Sequence, residues 1–282
     1  MIRSLVVAAL LAVATPALAQ GMPEGLRGSW FAPDCADPRA MLHVTARAAA
    51  TLPLDGRATL LRFVAIGETG GWTVGTGSGA DAPRMGLRRE GDRLDTVTPN
   101  AKLRDDRLPG DAPTMQWVRC PAPPAGFGLL HGEGLAFLGM LERIEAACAG
   151  PGEACLEAVV AIGDLSGDGL LSVAELARMM RGASWVLTAQ EGPDAETVAL
   201  SGSVASVAGL LTARLVVDSL DYDGDGQLSG AELRQDRAPL PSGAGDAAGR
   251  PVRTEGVSEG AGFLRALMEG LIMGRSEDAP TP

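Results

Sequence analysis

Apolar and polar residues alternate along the first hundred-odd positions of the chain and then recur at three- and four-residue intervals along the rest. Alternation in Met41-Leu42-His43-Val44-Thr45, in Leu60–Ile66, in Arg84–Arg89 and in Thr114–Arg119 assigns opposite faces of a pleated strand to the two sets of side chains. The turn signals Asp55-Gly56, Gly70-Gly71 and Glu90-Gly91-Asp92 lie between these runs. Seven or eight short strands in this space predict an antiparallel meander closed as a small barrel or packed as a sandwich.

The period changes after PAPPAGFG, residues 121–128, a Pro/Gly stretch that predicts a linker over 121–130. Leu135, Leu138, Leu141 and Ile144 follow helical spacing, as do Leu156, Val159 and Val160, with Gly150-Pro151-Gly152 as the interruption. Helical signals continue over 173–190 and 204–220, and the polar stretch Gln190–Ser203 reads as an insertion. A second flexible linker, 239–256, leads to an expected amphipathic helix over 257–274, whose apolar face is Phe263, Leu264, Leu267, Met268, Leu271 and Ile272. The expected fold class is therefore α+β and multidomain: a β domain over 20–120 and an all-α domain over 131–238 followed by a terminal helix.

Composition adds a compartment. The start MIRSLVVAALLAVATPALAQ joins Arg3 to a short apolar run and the small-residue signal Ala17-Leu18-Ala19, the pattern of a secretory leader over 1–19. Its apolar run is too short to span a bilayer, and no later segment is expected to reach that length. Periplasmic or secreted location follows, without a membrane anchor. Four cysteines allow three pairings. Cys35 with Cys120 and Cys148 with Cys155 are preferred, because each pair falls within one compositional unit. By loop entropy these links would stabilise by about 4.6 and about 2.5 kcal/mol. The net charge of −11 argues against a nucleic-acid partner.

Much of that charge is local. DLSGDGLLSVAE (164–175) and DYDGDGQLSGAE (221–232) hold seven carboxylates and no basic residue. Calcium takes six to eight oxygen ligands, and a twelve-residue loop supplies them from positions one, three, five, seven, nine and twelve. In the first loop these are Asp164, Ser166, Asp168, the Leu170 carbonyl, Ser172 and Glu175. In the second they are Asp221, Asp223, Asp225, the Gln227 carbonyl, Ser229 and Glu232. Gly169 and Gly226 stand at the sixth position, where the loop turns sharply.

The two loops resemble the EF-hand family, as found in calmodulin-like proteins. The likeness extends to apolar eighth positions, Leu171 and Leu228, which in that family join two loops by a short β-bridge. It extends also to the flanking helical stripes, Ala213, Val216, Val217 and Leu220 before the second loop and Leu176, Met179, Met180 and Ala183 after the first. It implies two bound Ca2+ ions and a groove for a protein or peptide partner, unless the terminal helix fills it. The first loop has Ser166 where the second has Asp223, so the second site is expected to bind more tightly. In the β domain, Gly28-Ser29-Trp30 is similar to the first-strand G-x-W of lipocalins, which implies a barrel plugged at one end by Trp30.

A catalytic constellation is missing from this reading. His43 falls on the polar phase of a strand and His131 in a glycine-rich junction, so structural or solvent-facing roles are expected. GTGSGA (75–80) mimics a phosphate loop but precedes Asp81-Ala82-Pro83 in place of a helix and reads as a turn. The combined expectation is an exported, non-enzymatic calcium-binding protein in which calcium is mainly a folding ligand and can regulate an interaction surface. The alternative is a small-ligand carrier or enzyme inhibitor that uses the barrel, with the helical domain as scaffold.

Overall fold

The computed structural model describes residues 21–79, 81–100, 108–149 and 152–235. The leader, the 239–256 linker and the 257–274 helix lie outside the described residues. Eight strands follow one another around a closed antiparallel barrel, each pairing with its neighbours and the last with the first. They are β1 (Gly28–Ala32), β2 (Ala40–Val44), β3 (Ala48–Pro53), β4 (Thr59–Thr69), β5 (Trp72–Gly77), β6 (Arg84–Glu90), β7 (Arg93–Val97) and β8 (Thr114–Val118). The barrel, not the sandwich, is the solution, and Gly75–Gly77 of the expected turn belong to β5.

Alternation divides the residues of the strands between two cores. Trp30, Leu42, Phe63, Leu87, Leu94 and Trp117 share one cluster, the barrel interior. At its closed end a single 3-10 turn, Glu24–Leu26, precedes β1. Met22 and Leu26 are buried there, and the Trp30 indole Nε1 donates to the Leu26 carbonyl at 3.0 Å. The Arg119 guanidinium lies over the Trp30 ring, 4.4 Å from its centroid, and donates to the Arg27 carbonyl at 2.6 Å. Trp30 is fully buried at this end, where the expected plug should be.

The neighbours of these inward residues point outward into a second core. Phe31, Met41, Ala50 and Leu52 pack with Phe127, Leu138, Trp185 and Val186 of the helical half. The helices are α1 (Ala125–Cys148), α2 (Gly152–Gly163), α3 (Val173–Glu191), α4 (Ala195–Leu220) and the short α5 (Gly230–Gln235). The linker expected over 121–130 therefore ends at Pro124. Phe127 is the physical reason: it buries against Phe31, ring centroids 5.8 Å apart, and draws the glycine-rich segment into helix. Glu142 of α1 accepts hydrogen bonds from the Thr45 hydroxyl and from the Arg47 backbone N–H, which ties the same helix to the β2–β3 turn.

The expected insertion at 190–203 is also helix, apart from the break at Gly192–Asp194. Gly192 ends α3 in the left-handed region, φ 66°, and the Asp194 carboxylate caps α4 by accepting from Thr197 N–H. This break docks on the β3–β4 turn. Ala58 N–H donates to the Pro193 carbonyl at 2.7 Å, Arg57 Nε donates to the Gly192 carbonyl at 2.7 Å, and Ala195 N–H donates to the Gly56 carbonyl at 3.2 Å. Barrel and helices thus belong to one compact unit, which runs through Arg237.

Helices α1 and α3 approach closely because glycines face large rings. A Cβ on Gly134 would fall 2.2 Å from the Trp185 ring, and one on Gly182 would fall 2.3 Å from the Phe137 Cβ. Both disulfides are the preferred pairs, Cys35–Cys120 and Cys148–Cys155, with Cα atoms 5.7 and 4.2 Å apart. Helix α4 departs from expectation in another way, because it is long and apolar enough to cross a membrane by length and composition. It buries Val198, Gly209, Ala213 and Val217, while Leu200, Val204, Val207, Leu211 and Leu215 form an exposed stripe.

His131 lies within α1 and is only 4% exposed, so of the two expected roles it takes the structural one, in a helix and not in a junction. Its Nδ1 accepts from the Trp185 Nε1–H at 3.2 Å, and burial lowers its pKa to about 4. The folded state therefore resists a proton that the unfolded chain accepts near pH 6.5. Stability from this group is complete above pH 6.5 and falls as pH drops toward 4, by about 1.4 kcal/mol per pH unit. A His131→Gln variant keeps an acceptor for Trp185 without a titrating ring. Urea unfolding between pH 7 and 4.5 should show a shallower loss in this variant than in the parent, and parallel curves would refute the assignment.

Candidate functional site: paired acidic loops and a barrel cavity

The two acidic segments each join two helices, α2 to α3 and α4 to α5. Short strands β9 (Leu171–Ser172) and β10 (Gln227–Leu228) pair antiparallel, with Leu171 opposite Leu228 and Ser172 opposite Gln227. Leu171 and Leu228 are fully buried, in a cluster with Val160 and Val217 that also packs Leu176 and Leu220. Bridge and cluster set the two loops side by side. Gly163, just before the first loop, allows close approach: a Cβ there would meet Leu171 at 2.7 Å and the Met179 sulfur at 2.9 Å. Arg234 of α5 pairs with Glu157 of α2 at 3.1 Å, across the two helix–loop–helix units.

Both loops fold by the same hydrogen bonds. Asp164 Oδ1 accepts from Gly167 N–H at 2.6 Å and its Oδ2 from Gly169 N–H at 2.7 Å. Asp221 repeats this with Gly224 at 2.7 Å and Gly226 at 2.8 Å. The sixth-position glycines take φ of 84° and 83°, the left-handed values that the turn demands. The last carboxylate folds back on the start. Glu175 Oε1 accepts from Leu165 and Ser166 N–H, and Glu232 Oε1 accepts from Tyr222 and Asp223 N–H. Their Oε2 atoms accept from the backbone and hydroxyl of Ser172 and of Ser229. In α3 this is a complete capping box, so one serine–glutamate pair both closes the loop and starts the exit helix.

These contacts favour ionised carboxylates. Burial would raise the Glu175 pKa, but the N–H and hydroxyl donors outweigh it and hold the group at about 2. Hydrogen bonds from Ser229 lower Glu232, and the Gly169 N–H leads those that lower Asp164. In the second loop, oxygens of Asp221, Asp223 and Asp225 lie within 4.8 Å of one another, a grouping able to hold a metal ion. In the first loop, Ser166 Oγ lies 3.2 Å from Asp164 Oδ1. Hard, anionic oxygens with lone pairs to spare suit a calcium-like cation. The donors of Leu165 and Tyr222 escaped the sequence reading, because backbone N–H groups carry no residue signature.

A second concave feature lies at the open end of the barrel. A cavity of about 910 Å3 is lined by Ala40, Thr51, Leu61, Met85, Thr96 and Trp117 among others. The sequence reading kept a ligand-carrying barrel as its alternative but named none of these lining residues, although their signal is present as small residues at inward positions on one half of several strands. His43 contributes to neither site. It pairs with the Ser29 hydroxyl at 2.8 Å on the outer side of β2.

No family model, curated protein or solved structure matches the chain.

Proposed function

We propose that this chain is a calcium-binding protein in which two EF-hand loops each hold one Ca2+ ion, in an oxidising compartment outside the cytoplasm. The observation that carries the reading is the convergence of Asp221, Asp223 and Asp225 in a loop closed by Glu232. Asp164, Ser166, Asp168 and Glu175 supply the corresponding side chains in the first loop, with Ser172 and Ser229 at the ninth positions. The two disulfides support the compartment.

Calcium here acts as a folding ligand. It neutralises carboxylates that repel one another and lie beside buried Leu171 and Leu228, so the paired loops and their shared cluster gain stability together. Outside the cytoplasm, affinities of about 10⁻⁴–10⁻³ M suffice for such modules. At free calcium ten times the dissociation constant each site adds about 1.4 kcal/mol.

Chelation of the purified, oxidised protein with EDTA should lower its melting temperature, and millimolar calcium should restore it. An unchanged melting temperature would reject calcium as a folding ligand.

The loops should also differ in strength. Four carboxylates in the second against three in the first predict that Glu175→Gln leaves the tighter residual site and Glu232→Gln the weaker one. Calorimetric titration of both variants reads this ranking directly, and the reverse order would overturn it.

A further inference from the structure

The open half of the barrel is built from smaller inward side chains than the closed half. Along β1 the inward sequence runs from Trp30 to Ala32, along β2 from Leu42 to Ala40, and along β7 from Leu94 to Thr96. The same strands therefore fill one end of the barrel and leave the other concave. The resulting cavity, about 910 Å3, lies in the size range of pockets that enclose small molecules. It opens away from the Trp30 plug. Met115, at an inward register position opposite Thr96, is 50% exposed at its mouth.

The chemistry of the lining selects a ligand class. Apolar surface from Leu61, Met85, Met115 and Trp117 predominates, and the polar groups are threonine hydroxyls and Gln116. Thr96 already accepts from the Trp117 Nε1–H at 2.8 Å. Among the described residues the one charged lining residue is Arg39, which is 57% exposed and bonded to Asp55 at 2.8 Å, so it contributes no unpaired charge. A formal charge carried inside would lose its hydration without a partner.

We propose that this cavity is a binding site for an uncharged, largely apolar small molecule with one or two hydroxyl- or carbonyl-type groups. Its apolar body lies against Met85 and Trp117 and its polar end meets the threonines. The inference is independent of calcium, since none of these residues belongs to the acidic loops.

Fluorescence titration of the full, calcium-loaded chain with neutral N-phenyl-1-naphthylamine tests the site, with the anilinonaphthalene sulfonate of the same ring system as its charged counterpart. The neutral probe should bind at one site, and the sulfonate at least about tenfold more weakly, because the described lining offers its charge no free partner. Ala40→Phe fills the cavity, and Met115→Glu puts a charge at its mouth at a half-exposed position that tolerates change. Each should weaken the neutral probe by about tenfold or more, with the melting temperature of Met115→Glu unchanged. Among the described residues the exposed stripe on α4 is another apolar surface to which a probe can adhere, and a Val207→Ser, Leu211→Ser variant should bind as the parent does. Full binding in Met115→Glu, or loss of binding only in the α4 variant, would overturn the site. Equal affinity for the sulfonate would overturn the ligand class.

Discussion

Trp30 and Leu42 point into the barrel, while Phe31 and Met41, their immediate neighbours, point out into the helices. This sector of the sheet is therefore buried on both faces, and that constraint organises the molecule. Each side chain of this size contributes about 1.5–3 kcal/mol when fully buried. The outer face of β1–β3 thus supplies a broad apolar platform for α1 and α3. Helix α3 begins at the Glu175 capping box and reaches the barrel through Trp185, Val186 and Ala189. One rigid element is anchored by acidic-loop chemistry at one end and by sheet packing at the other.

The acidic loops present the opposite kind of energetics. Two carboxylates about 4 Å apart repel by about 1 kcal/mol even in water-like surroundings, and by more where water is partly excluded. Backbone N–H groups of Gly167, Gly169, Gly224 and Gly226 offset part of this, since each directs a partial positive charge at Asp164 or Asp221. Hydrogen bonds alone leave the net negative charge of the second loop in place. A divalent cation would halve the charge of its four carboxylates, which is why the loop geometry and the proposed ligand reinforce one another.

Features with a local cause were legible in the sequence. Strand alternation and both twelve-residue frames follow from spacing within short segments, the Cys pairs from membership of one compositional unit, and the Leu171–Leu228 bridge from the resemblance to the EF-hand family. What escaped the reading was tertiary in origin. The 121–130 stretch reads as a linker until Phe31 offers Phe127 a partner. Residues 190–203 look inserted because their purpose, a dock for the β3–β4 turn at Gly56–Ala58, lies more than a hundred positions away. In the sequence His131 is open to a structural or a solvent-facing role, and what decides it is Gly134, where the Trp185 ring enters. The α4 stripe escaped because the polar residues around it hide its length.

The barrel cavity belongs with these non-local features, and its size limits what it can be. A sealed dry void of about 910 Å3 would cost about 20 kcal/mol at the rate measured for buried cavities. That exceeds the entire stability of an ordinary domain, about 5–15 kcal/mol. The space is therefore compatible with folding only because it opens to solvent and is filled from there. Water against Leu61, Met85 and Trp117 finds few hydrogen-bond partners, so an apolar solute displaces it favourably. Larger inward residues at Ala32, Ala40 and Thr51 would close the gap. The outer seam holds β1–β3 from outside and the Cys35–Cys120 link ties the β1–β2 connection to the end of β8, so the wall does not rely on interior packing at these positions. The concavity is thus a property of the whole two-faced sheet: exterior burial supplies the rigidity, and the interior is left free to bind.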